Sequence, residues 1–543
     1  MGEVGCLKIE RMCRAVDMLK DFFKNSKVST FVSALFVFFV AFIGSLINLH
    51  YGHDYINDDF SQYIMQAAAL IDGSSSIESF IKANDYIISH SWVGLGFTVY
   101  PWGFPLILAA VMKFGGGFMQ LKMIEVVSFC GCAVIVYLLA LKRGNRWTAL
   151  VAALFVAFNY EFTVKAVNRI LSDLPYCLFT LLSIYFMESM GEAETKRKEY
   201  IYAVLLGLSV AYACEIRSNG YMLVATFFCA VCVASLVNRY KFECLKKIRW
   251  NVHLGPSLIF FVVCAVGIFT FRATLPGNLG SLYMFEKFRV FNIAPMGEIN
   301  FWSMKDILFH STDKVVLYIL YAAFIALFLY GCIYSFQKNF IVLFYSISTF
   351  GLYMIWQYID LDGVRLLYSV ILLSVPVASG GFEIIREHKG YRVAVFATCV
   401  LLAFSALDIF ASGYKNIYTD HRNFGVGAFT KDSLEVYEYI RTNTKQEDII
   451  FFEKPRLIYL HTGRLGFMPQ NFFNELDKIA KVDYVLTSRE FKPDVQFAQL
   501  FKEGVINKLL NEKYNVILEK RYENATYVLW KVVPCGRSKA VGS

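Results

Sequence analysis

The sequence predicts a polytopic α-helical membrane protein of about eleven spans, followed by a small α/β domain. Three observations carry that expectation. The 543 residues are 57% hydrophobic and 18% charged, with a mean hydropathy of +0.47, more apolar surface than a soluble fold of that size can hide. The apolar residues come in long runs, such as 31–49 and 391–410. The charge is uneven: those runs carry almost none, while 430–531 is as charged as an ordinary soluble protein.

Residues 1–27 are mixed in charge and amphipathic, and no small-residue cleavage site follows 31–49. The first apolar run is therefore expected to stay as an anchor, with the N-terminus in the cytoplasm. Spans are predicted at 28–49, 121–141, 147–162, 173–190, 200–216, 219–237, 254–271, 314–335, 339–358, 364–382 and 391–412. The segment 102–114 is apolar but short, contains Pro105 and is closed by Gly115-Gly116-Gly117. A run of that length reads as interfacial or re-entrant. Leaving it out of the count puts Lys142-Arg143-Gly144-Asn145-Arg146, Lys196-Arg197-Lys198, Lys246-Lys247-Ile248-Arg249 and Arg386-Glu387-His388-Lys389 all on the cytoplasmic side, as the positive-inside rule asks. The outer side then holds 51–120, the turns at Asp173, at Arg217-Ser218-Asn219 and at 360–365, the loop 272–313, and everything after about 413.

The chain thus divides into a cytoplasmic N-terminus (1–27), a membrane domain (28–412) and an extracytoplasmic domain (413–543). The net charge of +9 sits largely in short loops between spans, so it does not argue for nucleic acid. The aromatic content of 17% fits lipid-facing Phe and interfacial Tyr, and sugar-stacking rings would look the same. In the tail, helices are predicted at 430–441, 471–481 and 501–511, and strands at 448–453, 482–487, 514–519 and 525–533. Alternation of the two suggests a partly parallel sheet. The tail has no glycine-rich phosphate loop, and the chain shows no internal repeat. Of the 13 cysteines only Cys535 falls on the outer side, so no outer disulfide forms within one chain. Cys229 and Cys232 have redox spacing but lie in mid-span, where they read as packing.

Chemistry must then come from polar groups at the outer rim. Asp58 and Asp59 follow the first span and precede an amphipathic helix, 60–71. They serve either as its N-cap or as a general base. His50, His53 and Asp54 are metal-ligand types, but their spacing matches no known site. Asp173 opens the fourth span in Asn168-Arg169-Ile170-Leu171-Ser172-Asp173-Leu174-Pro175-Tyr176, a pattern that capping by Ser172 or Asp173 also explains. Arg217 lies in a tight turn before Gly220, and Arg365 follows Asp360 and Asp362. Either arginine could simply snorkel to the interface. Together these sites supply cations for a phosphate and carboxylates for a hydroxyl.

The arrangement resembles the membrane glycosyltransferases of the GT-C fold, in the protein mannosyltransferase and aminoarabinose transferase (ArnT-like) branch. The matching residues run in family order: Asp58-Asp59-Phe60-Ser61-Gln62-Tyr63; Tyr100-Pro101-Trp102-Gly103-Phe104-Pro105-Leu106; Leu171-Ser172-Asp173-Leu174-Pro175-Tyr176; Arg217-Ser218-Asn219-Gly220; and Arg365-Leu366-Leu367-Tyr368. They span roughly 28–412, and the tail segment 454–464 is similar to the extracytoplasmic domain of bacterial relatives. The resemblance implies transfer of a sugar from a polyprenyl-phosphate carrier to a glycan, lipid or protein acceptor, at the outer face of the inner (plasma) membrane. In that reading Asp58 or Asp59 is the base and Asp173 assists. Arg217 and Arg365 hold the phosphate, and Tyr63, Tyr100, Arg169 and Tyr368 bind substrate. No cofactor is implied with certainty, and a divalent metal stays open. The sequence departs from the family in having Asp-Asp where many relatives have Asp-Glu, and Trp102 where they have a second Pro. The rival class is a transporter or flippase, which would show inverted repeats and broken helices at the midplane.

Overall fold

The computed structural model describes residues 26–50, 52, 59–91, 99–240, 253–275, 304–309, 314–355, 365–386, 391–418, 427–468, 476–489 and 505–535. Asp58, His53, Asp54, Asp360, Asp362 and most of the loop 272–313 lie outside the described residues.

Helices occupy every one of the eleven predicted spans: α1 (Ser26–Asn48), then, after the first loop, α5 (Phe118–Arg143), α6 (Arg146–Ala157), α7 (Asp173–Gly191), α8 (Lys196–Ile216), α9 (Tyr221–Tyr240), α10 (Leu254–Thr274), α11 (Lys314–Tyr334), α12 (Phe336–Ile355), α13 (Tyr368–Arg386) and α14 (Tyr391–Tyr418). By length and composition seven helices are able to cross a membrane, or eight when the bent pair at 146–168 counts as one span. The first loop carries α2 (Asp59–Asp72), α3 (Ser74–His90) and α4 (Gly103–Lys113). At 11 residues α4 is about 16 Å long, roughly half the hydrocarbon thickness, in keeping with its exclusion from the spans.

The predicted span 147–162 is corrected. α6 stops at Ala157, and after a bend of 48° the chain continues as a π-helical turn (Glu161–Lys165) and a 3₁₀ turn (Ala166–Asn168). The cause is Asn159, whose side chain accepts from Phe162 N and donates to the carbonyls of Ile307 (2.7 Å) and Leu308 (3.2 Å). A side chain that bonds backbone in this way competes with the helical ladder.

The bundle has two polar ends. At one, Arg143 pairs with Glu188 (2.5 Å) and donates to Asn339 (2.6 Å). Nearby, Glu383 accepts from Asn145 (2.8 Å) and Thr148 (2.7 Å). These groups tie together the ends of α5, α6, α7, α12 and α13, the end that carries Lys142, Arg143 and Arg146. The other end carries the first loop, the turn before α7, the α8–α9 turn and the start of α13.

The tail packs against this second end. It comprises α15 (Lys431–Asn443), β1 (Ile450–Phe451), α16 (Pro455–Thr462), β2 (Gly466–Phe467), α17 (Leu476–Ile479), β3 (Tyr484–Ser488), α18 (Val505–Tyr514), β4 (Val516–Glu523) and β5 (Tyr527–Pro534). The sheet order is β2-β1-β3-β5-β4, parallel at β2-β1-β3 and antiparallel at β3-β5-β4. The partly parallel sheet was expected; α16 and β2 were not. α16 is wedged between the two parts. Ile458 joins the sheet core, Leu457 joins the membrane-domain core, and Tyr459 and Leu460 pack on the Met65–Trp102 cluster.

Candidate active site at the outer rim

Four predicted residues, far apart in sequence, form one chain of charge. Arg365 donates to Asp59 Oδ2 (2.9 Å), and its other terminal nitrogen lies 3.7 Å from Asp173 Oδ2. Asp173 is also paired with Arg217. Asp59 is the first residue of α2, Asp173 of α7, Arg217 ends α8, and Arg365 leads into α13. Carboxylates in a first helical turn are favoured by the helix dipole, so the fold holds them at little cost. The α8–α9 turn is tight by necessity: a Cβ on Gly220 would run into the backbone of Ala213 and Cys214. That closeness fixes where Arg217 points.

The tyrosines brace the acids. Tyr100 Oη donates to Asp59 Oδ1 at 2.6 Å. Its backbone is held by Gln66 through two reciprocal hydrogen bonds of 3.0 Å. Burial first, and then the Asp59 charge, push the Tyr100 phenol well above its usual range, so it stays protonated and donates. Tyr63 packs on Tyr100 at 4.9 Å and shares a hydrogen bond with Ser172 (2.9 Å). Ser172 makes no side-chain cap to α7, so its hydroxyl serves the rim instead. The α4 start is anchored to the α8 end, because Tyr212 Oη donates to the Gly103 carbonyl at 2.9 Å. Tyr100 and Arg217 are thereby placed on one scaffold.

Arg169 and Tyr368 join a second group, organised by a residue the sequence reading passed over. Glu161 accepts from Tyr368 Oη (2.7 Å), pairs with Lys165 (3.0 Å) and lies 3.9 Å from Arg169. The signal was present: Glu161, Lys165 and Arg169 recur at four-residue spacing, an acid followed by two bases. It was masked because Glu161 fell inside a predicted span. A second missed residue is Lys122, fully buried, whose ammonium donates to the carbonyls of His50 and Gly52, both at 2.6 Å. Asn168 accepts from His50 N (3.0 Å) and donates to Asn48 O (2.8 Å), so the base of the first loop is pinned to the turn before α7. Among the described residues no group of three or more His, Cys, Asp or Glu side chains is placed to hold a metal ion.

An apolar cavity of about 230 Å³ lies between α6, α11, α13 and α14, lined in part by Phe155, Phe309, Phe324, Leu327, Val375 and Phe382. Val375 is two turns along α13 from Tyr368, about 10 Å, and the lining reaches Thr148, which is bonded to Glu383, so the cavity lies apart from the rim, toward the opposite polar end.

A polytopic bundle with surface helices in its first loop, an acid–arginine rim and a docked tail has the architecture of the GT-C membrane glycosyltransferases. Residues 101–275 match the family model of dolichyl-phosphate-mannose-protein mannosyltransferase, a stretch that includes Asp173, Arg169 and Arg217. Over that stretch the chain is similar to the membrane glycosyltransferases of the protein mannosyltransferase group. No individual curated protein matches it in sequence. Among solved structures, the Archaeoglobus fulgidus oligosaccharyltransferase, in complex with Zn and sulfate, aligns with a TM-score of 0.57 at 12% identity, over 92% of this chain and 73% of that one. ArnT from Cupriavidus metallidurans, bound to undecaprenyl phosphate, aligns with a TM-score of 0.55 at 11% identity, over 93% of this chain and 98% of that one.

Proposed function

We propose that this chain takes a sugar from a polyprenyl-phosphate donor and passes it to a glycan, lipid or protein hydroxyl at the outer face of the inner (plasma) membrane, with eleven spans and the tail outside. The observation that carries the reading is the continuous Asp59–Arg365–Asp173–Arg217 chain at the end of the bundle opposite the basic loops.

The chemistry follows from these groups. A carboxylate of the acidic pair, Asp59 with its neighbour Asp58, takes the acceptor proton. The acceptor oxygen forms a bond to the anomeric carbon as the bond to the phosphate oxygen breaks. The electron pair leaves on polyprenyl phosphate, whose growing charge Arg365 and Arg217 hold. The loose 3.7 Å contact of Arg365 with Asp173 is the one a phosphate oxygen replaces most readily. Asp173 then orients Arg217 and the sugar, while Tyr63, Tyr100, Arg169 and Tyr368 line the donor. ArnT from Cupriavidus metallidurans, which is similar in fold, is bound to undecaprenyl phosphate.

The test is to offer the purified protein a panel of undecaprenyl-phosphate hexoses and pentoses and to measure released undecaprenyl phosphate. Turnover that disappears in Asp59→Asn, with undecaprenyl phosphate binding retained, supports the reading. A wild type that neither binds undecaprenyl phosphate nor consumes any such donor overturns it.

A further inference from the structure

One helix that adds no charge to the rim is bonded to three of the elements that do. α12 carries two buried tyrosines, Tyr345 and Tyr353, on the same face and a little over two turns apart. The Tyr345 hydroxyl shares hydrogen bonds with Tyr176 Oη (3.1 Å) and with Ser369 Oγ (2.9 Å). Tyr176 lies one turn into α7 from Asp173, and Ser369 lies one turn beyond Arg365 at the head of α13. One phenol therefore ties the helix that opens with Asp173 to the helix that Arg365 leads into. Tyr353 accepts from Asn219 Nδ2 in the α8–α9 turn, two residues from Arg217. Tyr176, Ser369 and Asn219 are buried as well. Phenylalanine would fill the same space at both positions, so the hydroxyls add direction rather than bulk. A phenol has one donor and also accepts, which lets Tyr345 serve two helices at once. Buried polar groups linked in this way select one arrangement of the helices among those that would pack equally well.

We propose that Tyr345 and Tyr353 are positioning residues of the transfer site: α12 is the strut that sets the gap between Arg365 and Asp173 and the placing of Arg217. The 3.7 Å gap is where a phosphate oxygen of the donor enters, and Arg217 is the second cation that meets it. A displacement of about 1 Å, made away from the chemistry, is enough to spoil such a fit. The inference rests on the reading of the two arginines given above. Neither tyrosine touches donor or acceptor in this assignment, so the loss of a hydroxyl is felt only through Arg365 and Arg217.

The experiment is a double-mutant cycle in the full chain, read by titration with undecaprenyl phosphate. Tyr345→Phe is expected to weaken binding about fivefold, with the thermal midpoint in detergent within about 3 °C of wild type. In the Arg365→Ala background the same change costs less than about twofold more, because it acts through that arginine. Tyr353→Phe behaves likewise toward Arg217→Ala, and it takes over as the test if Tyr345→Phe does not fold. Tyr137→Phe is the control. Tyr137 is fully buried on α5 and its hydroxyl has no hydrogen-bond partner among the described residues, so its loss leaves the affinity unchanged. Wild-type affinity in Tyr345→Phe, an effect that multiplies in the Arg365→Ala background, or an equal loss in Tyr137→Phe would each overturn the proposal. Failure of the site itself reads differently. A wild type that does not bind undecaprenyl phosphate, or an Arg365→Ala variant that binds it fully, removes the donor site and this inference with it. A weakened Arg365→Ala beside an unaffected Tyr345→Phe leaves the site standing and removes this inference alone.

Discussion

Asp59 has two neighbours with different effects on it. Arg365 donates to one of its oxygens at 2.9 Å, and Tyr100 occupies the other with a 2.6 Å hydrogen bond. A carboxylate so held is a fixed acceptor for a proton, and Asp59→Asn keeps its shape while removing that capacity. Turnover is expected to fall by at least about 100-fold, with thermal stability in detergent close to wild type; a variant that turns over normally would take Asp59 out of the mechanism. For Arg365 the measurement is a titration with undecaprenyl phosphate. Arg365→Ala should weaken binding by roughly 10- to 100-fold, the worth of a charge-assisted contact, and Arg365→Lys should recover only part, since it lacks the planar fork. Wild-type binding in both Arg365→Ala and Arg217→Ala would mean that the arginines only hold Asp59 and Asp173 in place. Most of this site was legible in the sequence because its members sit where apolar runs stop: Asp59, Asp173, Arg217 and Arg365 each border a helix. Glu161 and Lys122 were not legible. One was swallowed by a span drawn too long, and the other stood at the head of an apolar run, where a lysine reads as a snorkelling end.

Helices were legible from hydrophobic runs, whose length separates α4 from the spans. Less legible was what breaks or joins them. The bend after α6 depends on Asn159 meeting carbonyls of residues 307 and 308, a partnership some 150 positions away that no local pattern announces. β2 is two residues and α16 is eight, both too short for periodicity to reveal; only family likeness pointed to 454–464. The joints between helices carry their own prediction. Arg143 and Glu188 are both buried and doubly bonded at the end of the bundle away from the site. Glu188→Ala leaves the guanidinium buried without its counter-charge, which costs about 3–5 kcal/mol. The expected result is a clear fall in the thermal midpoint in detergent, with undecaprenyl phosphate affinity unchanged in the protein that stays folded. An unchanged midpoint would show that Asn339 and the carbonyls of Leu139 and Lys338 suffice for Arg143.

At the scale of the whole molecule, the two polar ends and the docked tail fix which way the bundle faces. If the basic end lies in the cytoplasm, reporters at Gly116 and at Ser543 should both behave as extracytoplasmic. A cytoplasmic signal at Gly116 would make α4 a span and reverse the helices after it. The tail's docking has a pH dependence of its own, set by His461. Its ring stacks on Tyr437 at 4.6 Å and meets Phe429 at 5.3 Å; Phe429 in turn packs on Phe118 at 3.9 Å, at the membrane domain. Burial lowers the His461 pKa from 6.5 to about 4, so the imidazole is neutral in the folded protein. Once unfolded, the same ring takes up a proton below about 6.5, which the folded form cannot do until about 4. Its contribution to stability is therefore complete above pH 6.5 and is lost as the pH falls from there to 4. The thermal midpoint of the tail should drop between pH 7 and pH 5. His461→Phe, which keeps an aromatic ring in the stack and cannot titrate, should flatten that drop. A variant whose midpoint falls with acid as steeply as the wild type's would assign the sensitivity to other groups, and the seam between tail and membrane domain would not be gated by this histidine.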